Sequence, residues 1–147
     1  MNRTKSRRVT NQLCATLLLG CGIDPVQFAA TLQNQQAYNG NQSTITKSEA
    51  AVGIPGPGDT VAQGFRSNQG VHAAASLNGT DVYFRSGGFL SGLFGNRNIG
   101  ESTIEHEGLH NFLKLYDPEL QTRLGAPQNP YDTTNINQEL KDHHCTQ

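Results

Sequence analysis

Residues 100–118 read Gly-Glu-Ser-Thr-Ile-Glu-His-Glu-Gly-Leu-His-Asn-Phe-Leu-Lys-Leu-Tyr-Asp-Pro. From Ile99 or Gly100 to about Tyr116 the pattern is helical: Ile104, Leu109, Phe112, Leu113 and Leu115 supply apolar contacts, and Ser102/Thr103 precede an acidic first turn. Just upstream, residues 71–77 and 80–85 are two β-prone runs, the second carrying Val82, Tyr83 and Phe84. Between them lies Asn78-Gly79, and such a pair readily adopts the positive φ of a tight hairpin turn. A hairpin feeding a helix sets the expected fold class, a small, mostly helical α+β domain.

Outward from this core, a first helix is expected over residues 8–20, stopping at Gly20/Gly22, with Val9, Leu13, Leu17 and Cys21 on one face. Asp24-Pro25 is a start signal, an N-cap followed by a proline at the first helical position. The helix it opens, about 25–37, is expected to turn Val26, Phe28/Ala29 and Leu32 inward and to end at Asn39-Gly40. Residues 40–60 read as loop, since Gly53-Ile54-Pro55-Gly56-Pro57-Gly58 cannot hold regular structure. Asp59 is the expected cap of a short helix through Val61 and Phe65. Gly87, Gly88, Gly92, Gly95 and Gly100 mark a loop after the hairpin. Asp117-Pro118-Glu119 restarts a helix that ends at Gly125. A last helix, from near Asp132 or Thr134, carries Ile136 and Leu140 into the tail His143-His144-Cys145.

The chain's 147 residues and 15.9 kDa suit one core rather than two. A basic arm, residues 1–8, is expected to precede a single domain over 9–147. Net charge is −1, so no global field recruits nucleic acid, and no run of 18 apolar residues exists to form a transmembrane helix. Charge is uneven. Arg3, Lys5, Arg7 and Arg8 open the chain, whereas Glu101, Glu105, Glu107, Asp117, Glu119, Asp132, Glu139 and Asp142 face only Lys114, Arg123 and Lys141 in the last third. Acids gathered around histidines suit a cation site; a solvated acidic face is the plain alternative.

Within the helix, His106-Glu107-Gly108-Leu109-His110 places two imidazoles four residues apart, about 40° around the axis and one turn along it. Both can then reach one Zn²⁺ at about 2.0–2.1 Å. Glu107, pointing sideways, can take a proton from water activated by the ion as that water attacks a carbonyl. These residue types at this spacing match amide hydrolysis; a surface helix with merely polar histidines is the alternative. Gly108 costs about 1 kcal/mol in a helix interior, which fits a need for space near the metal.

For the third ligand Asp117 is preferred. A straight helix would leave it about 10 Å from His110 along the axis, so the chain must turn first, and the Asp-Pro step favours such a break. Asp117 is also a good N-cap for the next helix, and Glu119, Glu139, His143 and His144 compete as ligands. Tyr116 and Tyr131 can polarise a substrate carbonyl or simply pack. His72 reads as a structural strand histidine. The strand through residues 82–85 offers an edge for an extended peptide.

Cys14, Cys21 and Cys145 form no metal-type pair. One disulfide from the N-terminal helix to the tail, Cys14 to Cys145, and buried thiols are the two alternatives. Residues 13–19 with Gly20-Cys21 also outline a lipoprotein cleavage box, but the apolar stretch is short and the amphipathic helix is preferred.

The segment from Asn78 to Cys145 resembles the C-terminal domains of bacterial RHS-repeat-associated proteins. It shares Asn78-Gly79-Thr80 leading into a strand, Val82-Tyr83-Phe84, the glycine-rich loop, the HEGLH helix, Asp117, Leu124-Gly125, Asn135-Ile136 and a final Cys145. Residues 14–31, with Asp24-Pro25 and Phe28-Ala29, are similar to the opening helices of such domains. The resemblance implies a minimal zincin-like metallopeptidase with Zn²⁺ on His106 and His110 and Glu107 as general base. It further implies a peptide or protein substrate, a toxin or self-processing role in a secreted or surface-attached RHS-type parent, and a possible immunity partner. The chain departs from metzincins at Leu113 and Tyr116, where those carry a glycine and a third histidine. Thermolysin-type enzymes use a glutamate on a later helix, a position only Glu139 matches. A non-catalytic helical interaction or cap module is the rival reading.

Overall fold

Described here is a computed structural model, covering residues 8–86, 101–129 and 133–146. The elements are α1 (Gln12–Gly20), α2 (Pro25–Asn34), β1 (Gln36–Asn39), a 3-10 turn (Gly40–Gln42), α3 (Lys47–Ala50), α4 (Val61–Ser67), β2 (Ala73–Ala75), β3 (Asp81–Phe84), α5 (Glu101–Leu113), α6 (Asp117–Leu124) and α7 (Thr134–Asp142). The class is α+β. Residues 1–7 of the basic arm, the glycine-rich loop, Ile99, Tyr131 and Asp132 lie outside the described residues. Arg8, the last residue of that arm, pairs with Glu101 at 2.7 Å and so meets the start of α5.

Where local chemistry is decisive, the elements follow it. Asp24 Oδ1 accepts from the N–H groups of Val26 and Gln27, with Pro25 starting α2. The Asn78-Gly79 hairpin forms, β2 and β3 pairing antiparallel with Ala74 opposite Tyr83. Gly125 closes α6 at φ 73°.

Four expectations need correction. Residues 36–39 leave the helix and pair in parallel with β3, Gln36 opposite Asp81, while Tyr38 stacks on Tyr83 at 5.5 Å. A parallel partner 45 positions away leaves no trace in local periodicity. Second, the loop over 40–60 contains α3, started by a capping box between Thr46 and Glu49. Third, α4 is capped by Thr60 with Gln63 rather than by Asp59. Fourth, Leu13 and Val26 are 58% and 71% exposed; α1 turns Cys14 and Leu18 inward instead, with Leu17 and Cys21 at the margin of the core.

α5 is the axis of the molecule. On one side it packs on α2, in a core that runs from Leu109 through Phe28, Leu32, Leu120, Ile136 and Leu140 to Cys14 and Cys145. On the other, Ile104 meets Ala75, Val82 and Phe84 of the sheet. The opposite sheet face, with Tyr83, covers the α3–α4 lobe of Ala50, Ile54, Val61 and Phe65. A disulfide joins Cys14 to Cys145 with 4.8 Å between the Cα atoms. No single helix among the described residues is long and apolar enough to cross a membrane.

Gly108 is explained by this packing, not by room near a metal. A Cβ there would lie 2.5 Å from Leu32 Cδ2 and 3.3 Å from both Phe28 Cε1 and Gln35 Nε2. Leu32 and Phe28 are fully buried and have nowhere to go. Gly108→Ala is therefore expected to destabilise the fold: overpacking costs about 1–3 kcal/mol and exceeds the roughly 1 kcal/mol gained in helix propensity. A lowered urea midpoint with unchanged slope checks this; an unchanged or raised midpoint contradicts it.

Candidate metal centre

Residues 104–111 of α5 are buried on all sides. One flank of the helix opens on a cleft of about 460 Å³. His106, Glu107 and His110 line that cleft, facing residues 70–75 of the β2 region, residues 53–55, Tyr116, Asp117 and Asn137.

The two imidazole rings stack with centroids 5.0 Å apart. His110 Nδ1 donates to the Leu115 carbonyl at 2.5 Å, and His106 Nδ1 meets Asn137 Oδ1 at 2.6 Å. Both Nε2 atoms point at one oxygen, Asp117 Oδ1, at 2.7 Å from His106 and 2.8 Å from His110. Asp117 arrives there because α5 ends at Leu113 and Lys114 takes a left-handed φ of 58°, reversing the chain within one turn. Tyr116 is the N-cap of α6, which makes no side-chain cap bond, so the Asp117 carboxylate is not committed to the helix end.

This donor set fits a cation. A backbone carbonyl can only accept, so the His110 proton sits on Nδ1 and the Nε2 lone pair faces Asp117. With His106 held likewise, two lone pairs and a carboxylate oxygen converge, and only added protons or a metal ion can satisfy all three. His106, His110 and Asp117 can hold a metal ion, their ligand atoms lying within 4.8 Å of one another. Ligands of a tetrahedral ion at 2.0–2.1 Å stand roughly 3.3 Å apart, against 2.7 and 2.8 Å here. Asp117, its side chain 36% exposed, has room to withdraw by the missing half ångström or so.

Electrostatics point the same way. Burial disfavours an imidazolium at His110, but the Asp117 hydrogen bond and the charges of Glu107 and Asp117 prevail and lift it from 6.5 to about 9. Burial also works against the Asp117 carboxylate, yet hydrogen bonds from both histidines hold it well below the usual carboxylate range. Burial pushes the Glu107 carboxyl up, against the pull of His110 and His106.

A pH prediction follows for the metal-free protein. His110 binds its proton more tightly when folded, so its contribution is full below pH 6.5 and is lost as pH rises through about 9. Asp117 contributes above its ordinary 3.8 and loses that contribution on acidification. Thermal midpoints measured in chelator are expected to fall on both flanks of a mid-pH plateau. A cation must displace the extra His110 proton, so metal affinity is expected to rise with pH toward about 9. Affinity that is flat from pH 6 to 9 contradicts this.

The rival ligands stand elsewhere. Glu119 is exposed, Glu139 pairs with His143 at 3.4 Å, and the His144 carbonyl accepts from Asn11. Tyr116, 51% exposed, lies on the cleft rim with its ring over Gly53. His72 is not a core strand residue: it is exposed, one position before β2, at the cleft wall. The edge proposed on residues 82–85 is also corrected, because β3 is the central strand of the order β1-β3-β2. The outer strands are β1 and β2, and the edge beside the cleft is that of β2. The His72 carbonyl accepts from Arg85 and the Ser76 N–H donates to Asp81, so Ala73 and Ala75 turn their N–H and C=O the other way, where no described strand pairs.

Arg85 braces this wall. Its guanidinium donates to the carbonyls of Phe65, Asn68 and Val71 while lying over the Phe65 ring. Neither it nor Asn137 is visible as a site residue in the sequence, since each acts through partners far along the chain. No protein-family model, curated protein or solved structure matches this chain.

Proposed function

We propose that this protein is a zinc-dependent peptide hydrolase, with His106, His110 and Asp117 holding the ion and Glu107 as general base. The observation that carries the reading is the convergence of two imidazole Nε2 atoms on Asp117 Oδ1, in a cleft that Glu107 also lines. A two-histidine, one-carboxylate donor set suits Zn²⁺ once Asp117 withdraws to ligand spacing. When bound, the ion supplies Lewis acidity toward a water and a carbonyl oxygen. Glu107 then accepts the proton released by the attacking water and passes it to the departing amine. Its burial, which raises its proton affinity, suits that double role.

A peptide substrate is supported by the β2 edge, whose Ala73 and Ala75 main-chain groups can pair with an extended chain beside the histidines. The buried Cys14–Cys145 disulfide supports an oxidising destination, secreted or at the cell surface. Together with the sequence likeness to RHS-repeat-associated C-terminal domains, this favours a toxin or processing module of such a protein, opposed by an immunity partner. The rival, a non-catalytic module, draws on the fact that added protons alone, with no metal, can satisfy the contacts of His106 and His110 with Asp117.

Metal analysis of protein dialysed against zinc decides between them. One equivalent of zinc is expected, with cleavage of an unfolded polypeptide that stops in 1,10-phenanthroline and returns on zinc addition. No metal at saturating zinc overturns the hydrolase reading in favour of the module.

A further inference from the structure

We infer that Asn137 is a positioning residue of the metal centre, selecting the imidazole tautomer of His106 that leaves its Nε2 free for the ion. The inference rests on the metal reading above. Asn137 stands on α7, whose packing onto the core is carried by Ile136 and Leu140. Its side chain instead lines the cleft and spends both ends of its amide on α5. Oδ1 meets His106 Nδ1 at 2.6 Å, and Nδ2 donates to Thr103 Oγ1 at 3.3 Å, Thr103 lying one turn before His106.

The orientation of that amide has a chemical consequence. With Oδ1 toward the ring, His106 carries its proton on Nδ1 and offers an Nε2 lone pair beside Asp117. With the amide turned over, Nδ2 would demand the Nδ1 lone pair. The ring proton would then move to Nε2, where it would donate to Asp117 and close the site to a cation. In the first orientation Nδ2 also finds a partner, donating to Thr103 Oγ1, so both ends of the amide are used. His110 needs no such help, because the Leu115 carbonyl just past the end of α5 fixes its tautomer. His106 alone depends on a group 31 residues away. Outer partners of this kind set both the aim and the basicity of a ligand imidazole.

The test compares Asn137→Leu, similar in size and unable to accept, with Asn137→Asp, which can only accept. Zinc affinity from competition with a chromophoric chelator is expected to fall about 10- to 100-fold in Asn137→Leu and to stay at or above the wild-type value in Asn137→Asp. In histidine-¹⁵N-labelled, zinc-loaded protein, the slowly exchanging His106 Nδ1–H resonance is expected in wild type and Asn137→Asp and absent in Asn137→Leu. A residue that only packs would lower the metal-free thermal midpoint in both variants and leave affinity and resonance as they were; that outcome overturns the inference. Wild type that binds no zinc defeats the metal reading instead. In that event, nitrogen shifts of metal-free wild type still decide the matter, and a His106 Nδ1 found without a proton overturns the lock. Should Asn137→Leu not fold, the wild-type and Asn137→Asp resonances decide alone.

Discussion

Glu107→Gln is expected to keep one zinc per chain and to lower peptide cleavage by at least about 10²–10⁴-fold, the range a positioned general base supplies. The exchange is nearly isosteric and leaves both imidazoles and Asp117 in place. Glu107 is buried to 7% exposure on the cleft side of α5. Its carboxyl resists ionisation because of that burial, and His110 and His106 oppose the effect. An amide removes the charge without opening a cavity, so the metal-free fold is expected to be as stable as wild type or slightly more so. Lost cleavage therefore reports on chemistry rather than on folding. A variant with zinc bound that cleaves at the wild-type rate would falsify the assignment of the base. Asp117→Asn is the useful contrast: it weakens the third ligand, so its defect should appear in zinc affinity first.

The candidate site was legible because its parts are close in sequence. Two histidines at a four-residue spacing share a helix face whatever the tertiary structure, and an Asp-Pro step seven residues past His110 announces a turn back. What the spacing could not supply was the reason for convergence. Lys114 in the left-handed region is not a position that its side chain predicts. Asn137 reaches His106 only because α7 packs on α5. Gly108 illustrates the limit from the other side. Its presence beside two ligands suggested clearance for a metal, whereas the neighbours that need the space are Leu32 and Phe28 of α2.

In the fold the same division holds. Asp24, the Asn78-Gly79 turn and Gly125 act through their own neighbours and could be read directly. Thr46-Lys47-Ser48-Glu49 also spells a local start signal, and the run of glycines and prolines after it obscured a helix of only four residues. β1 is different in kind. Gln-Ala-Tyr-Asn has no marked preference, and becomes a strand because β3 offers a free edge and Tyr83 a ring to stack on. With β1 on one side and β2 on the other, β3 cannot take a substrate strand, and the edge beside the cleft is that of β2.

Removing the disulfide is expected to have the largest effect on stability. Cys14 and Cys145 are separated by 131 positions, so their cross-link closes nearly the whole chain. Loop-closure entropy for such a span amounts to about 5 kcal/mol, with measured losses for native disulfides of about 2–5 kcal/mol. Domains of this size have only about 5–15 kcal/mol in total. Both cysteines are fully buried in the core that contains Leu18, Ile136 and Leu140, so alanine is the cleaner replacement, leaving no hydroxyl unpaired there. Urea unfolding of Cys14→Ala/Cys145→Ala in chelator is expected to show a midpoint far below that of the oxidised wild type, and equal midpoints would refute the expectation. The loss should not be spread evenly. α7 ends at Asp142, and after it the tail is tied to the N-terminal region by the disulfide and by the Asn11 side chain on the His144 carbonyl. Freed of the cross-link, α7 is held on α5 by Ile136, Leu140 and the Asn137 amide, the group that steadies His106. Hydrogen exchange in the variant is therefore expected to rise first in α7, and zinc affinity to fall with it. Saturating zinc, by binding only the folded form, should restore about 4 kcal/mol at a thousandfold excess over its dissociation constant. A variant that is destabilised but binds zinc as tightly as wild type, with α7 still protected, would show that the cross-link acts on the unfolded chain alone.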